Sequence, residues 1–295
     1  MSVAKKIVLD ERKELVNSVI EDLKNGVTPF WRKSWNSAIP KNATTDNNYR
    51  GINWIKLNII SQEMGYKDNR WLTFPQAKSK KWNIKKGEKA TRLEFWNWYI
   101  VKRVIENGVE KEIKEKRDIP LVSYFNVFNA EQFENIPENK ILNSDFQNNE
   151  RIENIIKNVE TKIEYRSIDR AFYSPITDTI CLPNREYFKS ENEFYSTLLH
   201  EIAHSTGHES RLNREKHEKT ADKIYAKEEL IAELTSMFLQ QDLGINIQED
   251  NILYNSHKAY LKHYIELLEE TPNVLFAIIR EAEKASDYIL NYAKN

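Results

Sequence analysis

Cysteine is almost absent from this sequence, since Cys181 is the one thiol among 295 residues. A single thiol cannot build an internal disulfide framework, so the class of small disulfide-stapled secreted proteins is excluded. A lone cysteine is most often a small buried hydrophobic residue of a protein kept in a reducing compartment. We therefore expect a cytoplasmic protein in which the Cys181 side chain is buried.

Long apolar runs and nucleotide-binding motifs are also missing. No apolar stretch approaches the ~18 residues that a membrane-spanning helix needs, so no membrane partner is expected. The segment MSVAKKIVLDERKELV interrupts its apolar residues with charges and lacks the continuous apolar core of a signal peptide. Neither G-x-G-x-x-G nor a P-loop occurs, and no internal repeat is visible. Nucleotide-driven chemistry therefore has no support.

Charge and special residues divide the chain into two unlike halves. Residues 1–140 hold 26 Lys and Arg against 18 Asp and Glu, whereas the remainder holds 18 against 27. All seven tryptophans lie in the first hundred residues, and all six histidines lie at or after His200. The polar, Asn-rich stretch 134–150 lies between the two halves. We therefore predict two domains, residues 1–135 and 151–295, joined by a linker at 136–150.

The stretch LLHEIAHSTGHESRL at 198–212 has the features of one capped helix. Ser190 and Glu193, at the spacing of a capping box, precede it, and Gly207 is a predicted C-terminal stop. Apolar residues between these positions recur at helical spacing. The sequence therefore predicts a helix that ends close to Gly207.

This predicted helix carries the H-E-x-x-H pattern of zinc peptidases. His200 and His204 are four residues apart and project from one helix face, close enough to share a metal ion. Glu201 lies where a carboxylate can act as general base towards water at the metal. We therefore expect one zinc ion per chain, with other divalent metals as alternatives.

A catalytic zinc ion needs a third protein ligand. The metzincin spacing would require histidine at position 210, which is Ser210, so that class is excluded. The remaining candidates are the metal-binding side chains that follow the motif: His208, His217, Asp222, Glu228, Glu229 and Glu233.

Two of these candidates lie one turn apart on the helical pattern YAKEELIAELTSMFL at 225–239. We assign Glu229 to the metal and Glu233 to a ligand imidazole, which it would orient through the second ring nitrogen. The alternatives are that both are solvated helix carboxylates, or that His208 is the ligand. Tyr225 is a candidate second donor to the oxyanion of the reaction.

Three runs in this half resemble the metallopeptidase domain of ArdC-type antirestriction proteins: YSPITDTICLP at 173–183, HEIAHSTGHESRLNR at 200–214 and YAKEELIAEL at 225–234. The closing run from His257 to Leu290 is similar to the terminal helices of that family. The resemblance implies that the run 173–183 forms the sheet edge that lines a zincin cleft.

Basic and aromatic residues alternate in the N-terminal half. Between Lys24 and Arg103 there are 17 Lys and Arg but 5 Asp and Glu. Such a surface attracts phosphates and can stack unpaired bases, which favours single-stranded DNA as a partner. The alternative is that the rings are core residues and the lysines are solvated, and we expect Trp54 and Trp82 inside. The candidate DNA-binding residues are Trp31, Arg32, Lys33, Trp35, Tyr49, Arg50, Trp71, Lys85, Lys86 and Lys89.

The motif order in this half resembles the single-strand DNA-binding domain of the same family: W-x-x-x-W, YRGIN, W-L-T-F-x-Q, KKGEK and VFNAEQ. Ala90 departs from it, because glycine is expected after KKGEK. Residues 9–25 and 53–64 are predicted helices, and Leu93 to Phe128 predicted strands with a hairpin turn at Asn107-Gly108. The predicted fold class is α+β, with a mixed α+β DNA-binding domain followed by a zincin-like domain.

The resemblance implies an antirestriction protein of a mobile element that protects entering DNA. Its protein substrate is unidentified, and host restriction components are candidates. One alternative is a DNA-dependent protease acting on DNA–protein crosslinks. Another is a non-catalytic protein that coats single-stranded DNA and has a structural metal site. Replacement of Glu201 separates the last alternative from the two enzymes, because a coating protein needs no base.

Overall fold

The computed structural model of the chain describes residues 2–27, 39–106, 109–139, 145–214, 221–245 and 253–294. The mixture of helices and strands confirms the predicted α+β class. No helix in these ranges combines the length and the apolarity needed to cross a membrane. The elements follow in the order α1 (Val3–Lys24), β1 (Lys41–Asn42), α2 (Gly51–Met64), β2 (Arg70–Thr73), α3 (Phe74–Ser79), β3 (Thr91–Glu106), β4 (Val109–Asn129), α4 (Asp145–Asn158), β5 (Lys162–Arg166), β6 (Phe172–Ser174), β7 (Thr179–Pro183), α5 (Glu191–Ser205), α6 (Ala221–Asp242), α7 (Leu253–Glu270) and α8 (Val274–Tyr292).

The N-terminal half is built on a four-stranded sheet in the order β1-β2-β4-β3. β1 runs parallel to β2, and the other neighbours are antiparallel. β3 and β4 form the predicted long hairpin, in which Glu106 pairs with Val109. The two residues of the predicted turn, Asn107 and Gly108, lie outside the described residues.

The first two helices begin earlier than the sequence pattern predicts. α1 begins at Val3 because the Ser2 side chain caps it by accepting a hydrogen bond from the Lys5 N–H. α2 begins at Gly51, whose φ of 54° is in the left-handed region that favours glycine. A Cβ atom at Gly51 would lie 3.2 Å from Oε2 of Glu283 on α8, so a larger residue would also require the Glu283 carboxylate to shift.

The C-terminal half has a three-stranded sheet in the order β5-β7-β6, packed with α5. The run 173–183 supplies two strands, so its first part is the sheet edge and its second part, β7, is the central strand. Cys181 on β7 is buried, as expected. α4 begins at Asp145, within the predicted linker 136–150, because its apolar side face, including Ile152 and Ile155, packs into the same core.

One apolar core joins the two halves of the chain. It combines side chains of α1 and α2 with side chains of α6, α7 and α8. Trp54 on α2 packs edge-on against Phe238 on α6, with ring centroids 4.7 Å apart. The buried members include Val16, Val19, Leu23, Trp54 and Ile55 from the first half, and Leu230, Leu234, Tyr264, Leu275 and Ile279 from the second. Each half therefore stabilises the other.

Ile55→Ala is expected to destabilise the whole chain in a single unfolding transition. Ile55 is fully buried in the shared core, and truncation of such a residue costs about 2–5 kcal/mol. Thermal and denaturant unfolding would measure the loss. Ile119→Ala, at a mostly exposed position of β4, is the matched control and should leave the free energy of unfolding unchanged. Two separate transitions, of which one moves, would contradict the shared core.

Candidate metal centre

The H-E-x-x-H residues lie on α5, as predicted, but the helix ends differ from the prediction. The Ser190 hydroxyl accepts a hydrogen bond from the Glu193 N–H at 3.2 Å. The Glu193 carboxylate accepts from the Lys189 N–H at 2.7 Å rather than from Ser190. The predicted capping box therefore forms in its first half, and its carboxylate caps the residue before.

Gly207 follows α5 for a steric reason rather than as a left-handed stop. It is absent from the positive-φ glycines of the described chain, and a Cβ atom there would lie 2.9 Å from the Arg214 guanidinium. Arg214 occupies this space and donates to the Ala203 carbonyl at 2.9 Å and to the Thr206 hydroxyl at 2.6 Å. The guanidinium thus donates hydrogen bonds to acceptors at the C-terminal end of α5, where backbone carbonyls have no partner within the helix.

His200, His204 and Glu229 come together between α5 and α6. The two histidine Nε2 atoms are 3.1 Å apart. The Glu229 carboxylate lies 3.6 Å from Nε2 of His200 and 3.4 Å from Nε2 of His204. One potential ligand atom from each of the three residues lies within 4.8 Å of the others. Two imidazole nitrogens and a carboxylate oxygen are a donor set that suits a divalent metal ion.

Charge is concentrated in this largely buried group. Burial alone would raise the pKa of Glu229, but the hydrogen bond from His200 and the charge of His204 lower it to about 2. Burial alone would lower the pKa of His204, but the hydrogen bond to Glu228 and the charges of Glu229 and Glu201 raise it to about 9. Several carboxylates thus surround two imidazoles, and this electrostatic environment favours a cation.

Glu201, Glu229 and Glu233 are all buried. Burial removes the alternative in which Glu229 and Glu233 are solvated helix carboxylates. The Glu233 carboxylate accepts a hydrogen bond from the hydroxyl of Tyr264 on α7 at 3.2 Å. Tyr225 is about half exposed, and its side chain forms a hydrogen bond with Glu229 that helps to lower the pKa of that carboxylate.

Glu228 is a functional candidate whose role the sequence interpretation missed, because it appeared there only as an alternative ligand. Its Oε1 atom lies 3.4 Å from Nδ1 of His204, the ring nitrogen that faces away from the three-residue group. Arg214 Nε donates to Glu228 Oε2 at 2.9 Å, and Arg214 Nη2 donates to Oε1 at 2.5 Å. This bidentate pair fixes the carboxylate that orients His204.

A second arginine fixes the segment after α5 to the sheet. Arg211 donates to the Ser205 carbonyl at 2.7 Å, to Asp178 Oδ2 at 3.0 Å and to the Tyr173 hydroxyl at 3.2 Å. Hydrogen bonding from Arg211 lowers the pKa of Asp178. Arg211 therefore fixes the position of the β6–β7 turn relative to the C-terminal end of α5. In the sequence, the run RLNR at 211–214, shortly after the H-E-x-x-H motif, was the feature that could have identified both arginines.

The other candidate ligands are placed elsewhere or are not described. The Nδ1 atom of His208 is 2.8 Å from the Ser210 hydroxyl, and His208 does not belong to the three-residue group. His217 lies outside the described residues, and the side chain of Asp222 is also outside them.

The structure corrects the expectation for Trp71 as a DNA-binding residue. Trp71 is fully buried on β2 and packs with Leu57, Leu93 and Val127. A ring enclosed on β2, between β1 and β4, cannot stack on a base. Trp54 is buried as expected, whereas Trp82 is half-buried.

The remaining DNA-binding candidates divide into four groups. Tyr49 is half-buried, and burial raises the pKa of its hydroxyl. Arg50 is bound to α8, with Nε 2.8 Å from Glu283 Oε1 and Nη2 2.5 Å from Asp287 Oδ1. The exposed lysines are Lys85, which donates to the Glu131 carbonyl at 2.7 Å, Lys86 and Lys89. Trp31, Arg32, Lys33 and Trp35 lie outside the described residues.

Other motif residues of the N-terminal half form hydrogen bonds that stabilise turns and helix ends. Thr73 and Gln76 form a reciprocal capping box at α3. Asn129 and Gln132 form a second one after β4. Gln132 also donates to the Lys89 carbonyl at 2.9 Å and so holds the KKGEK turn. These residues contribute to the scaffold rather than to an open surface.

Glu228→Ala is expected to weaken divalent-metal affinity by about 10–100-fold, the usual effect of removing a carboxylate that orients a ligand histidine. His204 would lose its Nδ1 partner, and Arg214 would lose its bidentate partner. Competition with a chelating dye measures the Kd. Glu209→Ala, at an exposed position after α5, is the control. Equal Kd values for the two variants would contradict a role of Glu228 in orienting His204.

Two family models match the chain. Residues 9–128 match the N-terminal domain of anti-restriction factor ArdC. Residues 150–281 match the zincin-like metallopeptidases. The second match confirms the predicted zincin-like class of the C-terminal half. The two matched ranges lie on either side of residues 129–149.

Full-length similarity extends to solved structures. The chain is 30% identical to the antirestriction protein ArdC from plasmid R388, whose metal-free crystal structure superposes with a TM-score of 0.76. This match covers 96% of the present chain and 98% of that protein. The Mn(II)-bound crystal structure of the same protein gives a TM-score of 0.75, with the same identity and coverage.

Two longer curated proteins are also similar. Two Escherichia coli proteins named DNA primase TraC are 35% and 36% identical over 294 and 293 residues. The alignments cover 95% and 94% of the present chain but 27% and 20% of the TraC proteins. The chain therefore spans a minor part of their length.

Proposed function

The chain belongs to the ArdC family of antirestriction proteins, and we propose that it protects entering DNA from host restriction as a single-stranded DNA-binding metallopeptidase. The observation that carries the peptidase part is the group of buried His200, partly buried His204 and buried Glu229 on the helices that also hold Glu201. The basic N-terminal half and its ArdC match support the DNA-binding part. The proposed domains are residues 1–135 and 151–295, with 136–150 between them.

The proposed metal ligands are His200, His204 and Glu229, which would hold one ion per chain. Zinc is proposed because two imidazoles and one carboxylate are the protein donor set of many catalytic zinc sites. The R388 relative has a Mn(II)-bound structure, so other divalent metals are included. When bound, the ion would polarise the scissile carbonyl and stabilise developing negative charge. Glu233 is proposed to orient a ligand imidazole, as Glu228 is for His204.

Glu201 is the proposed general base. Its carboxylate is buried on α5 next to His200 in sequence, which keeps bulk water away and strengthens proton transfer. It would accept the proton of the attacking water and then deliver that proton to the leaving amine of the cleaved peptide. Tyr225 is proposed as a donor to the oxyanion, because its side chain already reaches the carboxylate of Glu229.

Host restriction subunits are the proposed protein substrates, since the family is defined by antirestriction. The test is to incubate the purified chain with these subunits, with and without single-stranded DNA, and to resolve the products by mass spectrometry. We expect discrete fragments from the wild type and none from Glu201→Gln. Absence of cleavage by the wild type, with full protection of DNA in cells by Glu201→Gln, would refute the peptidase function and indicate a coating protein.

A further inference from the structure

The side chain of Tyr264 joins the core shared by the two halves to the candidate metal centre. Tyr264 lies on α7 and is fully buried in a cluster with apolar side chains of α1, α2, α6 and α8. Its hydroxyl donates to Glu233 Oε1 at 3.2 Å. Among the buried members of this core that the structure describes, it is the only tyrosine. A buried hydroxyl is costly without a partner, and a phenylalanine would fill nearly the same volume. What the tyrosine adds is therefore a hydrogen-bond donor beside the metal ligands.

The pairing of α5 with α6 shows which imidazole lies level with the contacted carboxylate. His204 on α5 lies opposite Glu228 on α6, with Nδ1 and Oε1 3.4 Å apart. About two turns back along α5, the Ser196 carbonyl accepts from the hydroxyl of Ser236, which lies about two turns farther along α6. The two helices therefore run antiparallel. Midway between these two contacts lie His200 on α5 and the tyrosine-bound carboxylate on α6.

We propose that Tyr264 is a positioning residue of the metal centre, which acts through Glu233 on His200. The hydrogen bond holds one oxygen of the buried carboxylate and restricts its rotation, so that Oε2 accepts from the imidazole N–H in a fixed direction. His204 has Glu228 at its own Nδ1 atom, so each ligand imidazole has a separate carboxylate. This inference rests on the proposed metallopeptidase function and adds to it a residue outside the motif and outside α6.

The two orienting carboxylates are fixed from different parts of the fold. One is held by Arg214, in the loop after α5, with two hydrogen bonds. The other is held by Tyr264 on α7, a helix whose position depends on its packing with α1 and α2. An ion pair of 2.5 Å between Lys24 and Glu269 also joins α1 to α7. The packing of the N-terminal half therefore reaches the metal centre through α7.

Zinc titration of the metal-stripped, full-length chain tests this role. Tyr264→Phe is expected to weaken zinc binding by about 3–10-fold, the usual range for the loss of one hydrogen bond. Phenylalanine keeps the buried ring, so circular dichroism should match the wild type. Tyr195→Phe is the matched control, because Tyr195 is fully buried on α5 and its hydroxyl donates to Glu153 at 2.9 Å and to Glu191 at 3.0 Å. This control should keep the wild-type zinc Kd.

Two further measurements separate positioning from a loss of stability. At saturating cobalt(II), the visible absorption bands of Tyr264→Phe are expected to differ from those of the wild type, because the orientation of a ligand imidazole alters the geometry at the ion. A loss of stability alone would leave the saturated spectrum unchanged. In a double-mutant cycle, Tyr264→Phe is expected to have no further effect on zinc affinity when it is added to Glu233→Ala, since the carboxylate through which it acts is then missing.

The outcomes distinguish this inference from the function on which it rests. If the wild type binds no zinc, the proposed function fails and the inference fails with it. If the wild type binds zinc and Tyr264→Phe keeps both the zinc Kd and the cobalt(II) spectrum, the proposed function stands and the positioning role is wrong. Equal weakening by Tyr264→Phe and Tyr195→Phe, or additive effects of Tyr264→Phe and Glu233→Ala, would also overturn the role, because neither result requires the contact with Glu233.

Discussion

Glu229→Ala is expected to lower divalent-metal affinity by more than about 100-fold, beyond the ~10–100-fold effect of carboxylates that only orient a ligand. The Glu229 carboxylate lies 3.6 Å and 3.4 Å from the Nε2 atoms of the two histidines. Its removal would leave two imidazoles, which cannot supply the three protein ligands of a catalytic site. Isothermal titration of the metal-stripped protein with zinc measures the change directly.

Glu233→Ala is the matched control, because Glu233 is also buried and lies one turn farther along α6. We expect it to cost less metal affinity than Glu229→Ala, while both variants retain the helical circular dichroism of the wild type. If Glu233→Ala abolishes zinc binding and Glu229→Ala keeps it, the two roles are exchanged. If neither affects zinc, the third ligand lies elsewhere, and His208 is the first alternative.

Glu201→Gln is expected to slow any peptide hydrolysis by about 10²–10⁴-fold, the usual contribution of a positioned general base. Glutamine has nearly the same size and fits the buried position, but it cannot accept the proton of the attacking water. Metal stoichiometry and oligo-dT affinity should stay at the wild-type values. Cleavage rates under single-turnover conditions measure the loss, with Glu209→Gln as the control for removal of a nearby carboxylate.

Unchanged hydrolysis in Glu201→Gln would assign the base to another residue. A loss of metal together with activity would show instead that Glu201 supports the metal site. The three measurements of rate, stoichiometry and DNA affinity therefore separate a base from a ligand and from a residue needed for folding.

The helix that holds the H-E-x-x-H residues was predictable because its signal is local. His200 and His204 are one turn apart, and helical spacing alone brings them to one face. The third residue of the group, Glu229, lies on a different helix, so placing it beside the histidines requires a contact between two helices. The periodicity of 225–239 made Glu229 a candidate, because it separates the apolar face of that helix from its carboxylates. The structure adds that Glu229 and Glu233 are buried, which a pattern of residue types cannot show.

The interactions that orient the site were not predictable from such patterns. The Arg214–Glu228 pair joins the loop after α5 to α6, and the Arg211–Asp178 pair joins the same loop to the β6–β7 turn. Each of these two ion pairs depends on how separate elements pack. From the sequence alone, a charged residue is expected to be solvated unless its partner is known. Gly207 illustrates this point, since its small size serves Arg214 rather than the helix end.

The N-terminal half shows the same limit for aromatic residues. Trp71 and Trp98 both lie among basic and aromatic residues in the sequence, yet the side chain of Trp71 is fully buried and that of Trp98 is exposed. Strand position decides between them, because β2 lies inside the sheet and β3 is its edge strand. The core shared by α1, α2 and α6–α8 was also not predictable, because the charge asymmetry of the sequence suggested two independent halves.

Anomalous diffraction from crystals of the zinc-loaded chain is the most direct test of the proposed metal ligands. We expect a single zinc peak per chain, bonded to Nε2 of His200, Nε2 of His204 and the carboxylate of Glu229. Zinc bonded to a different set of side chains, or no zinc peak in crystals grown with a stoichiometric excess of the metal, would contradict it.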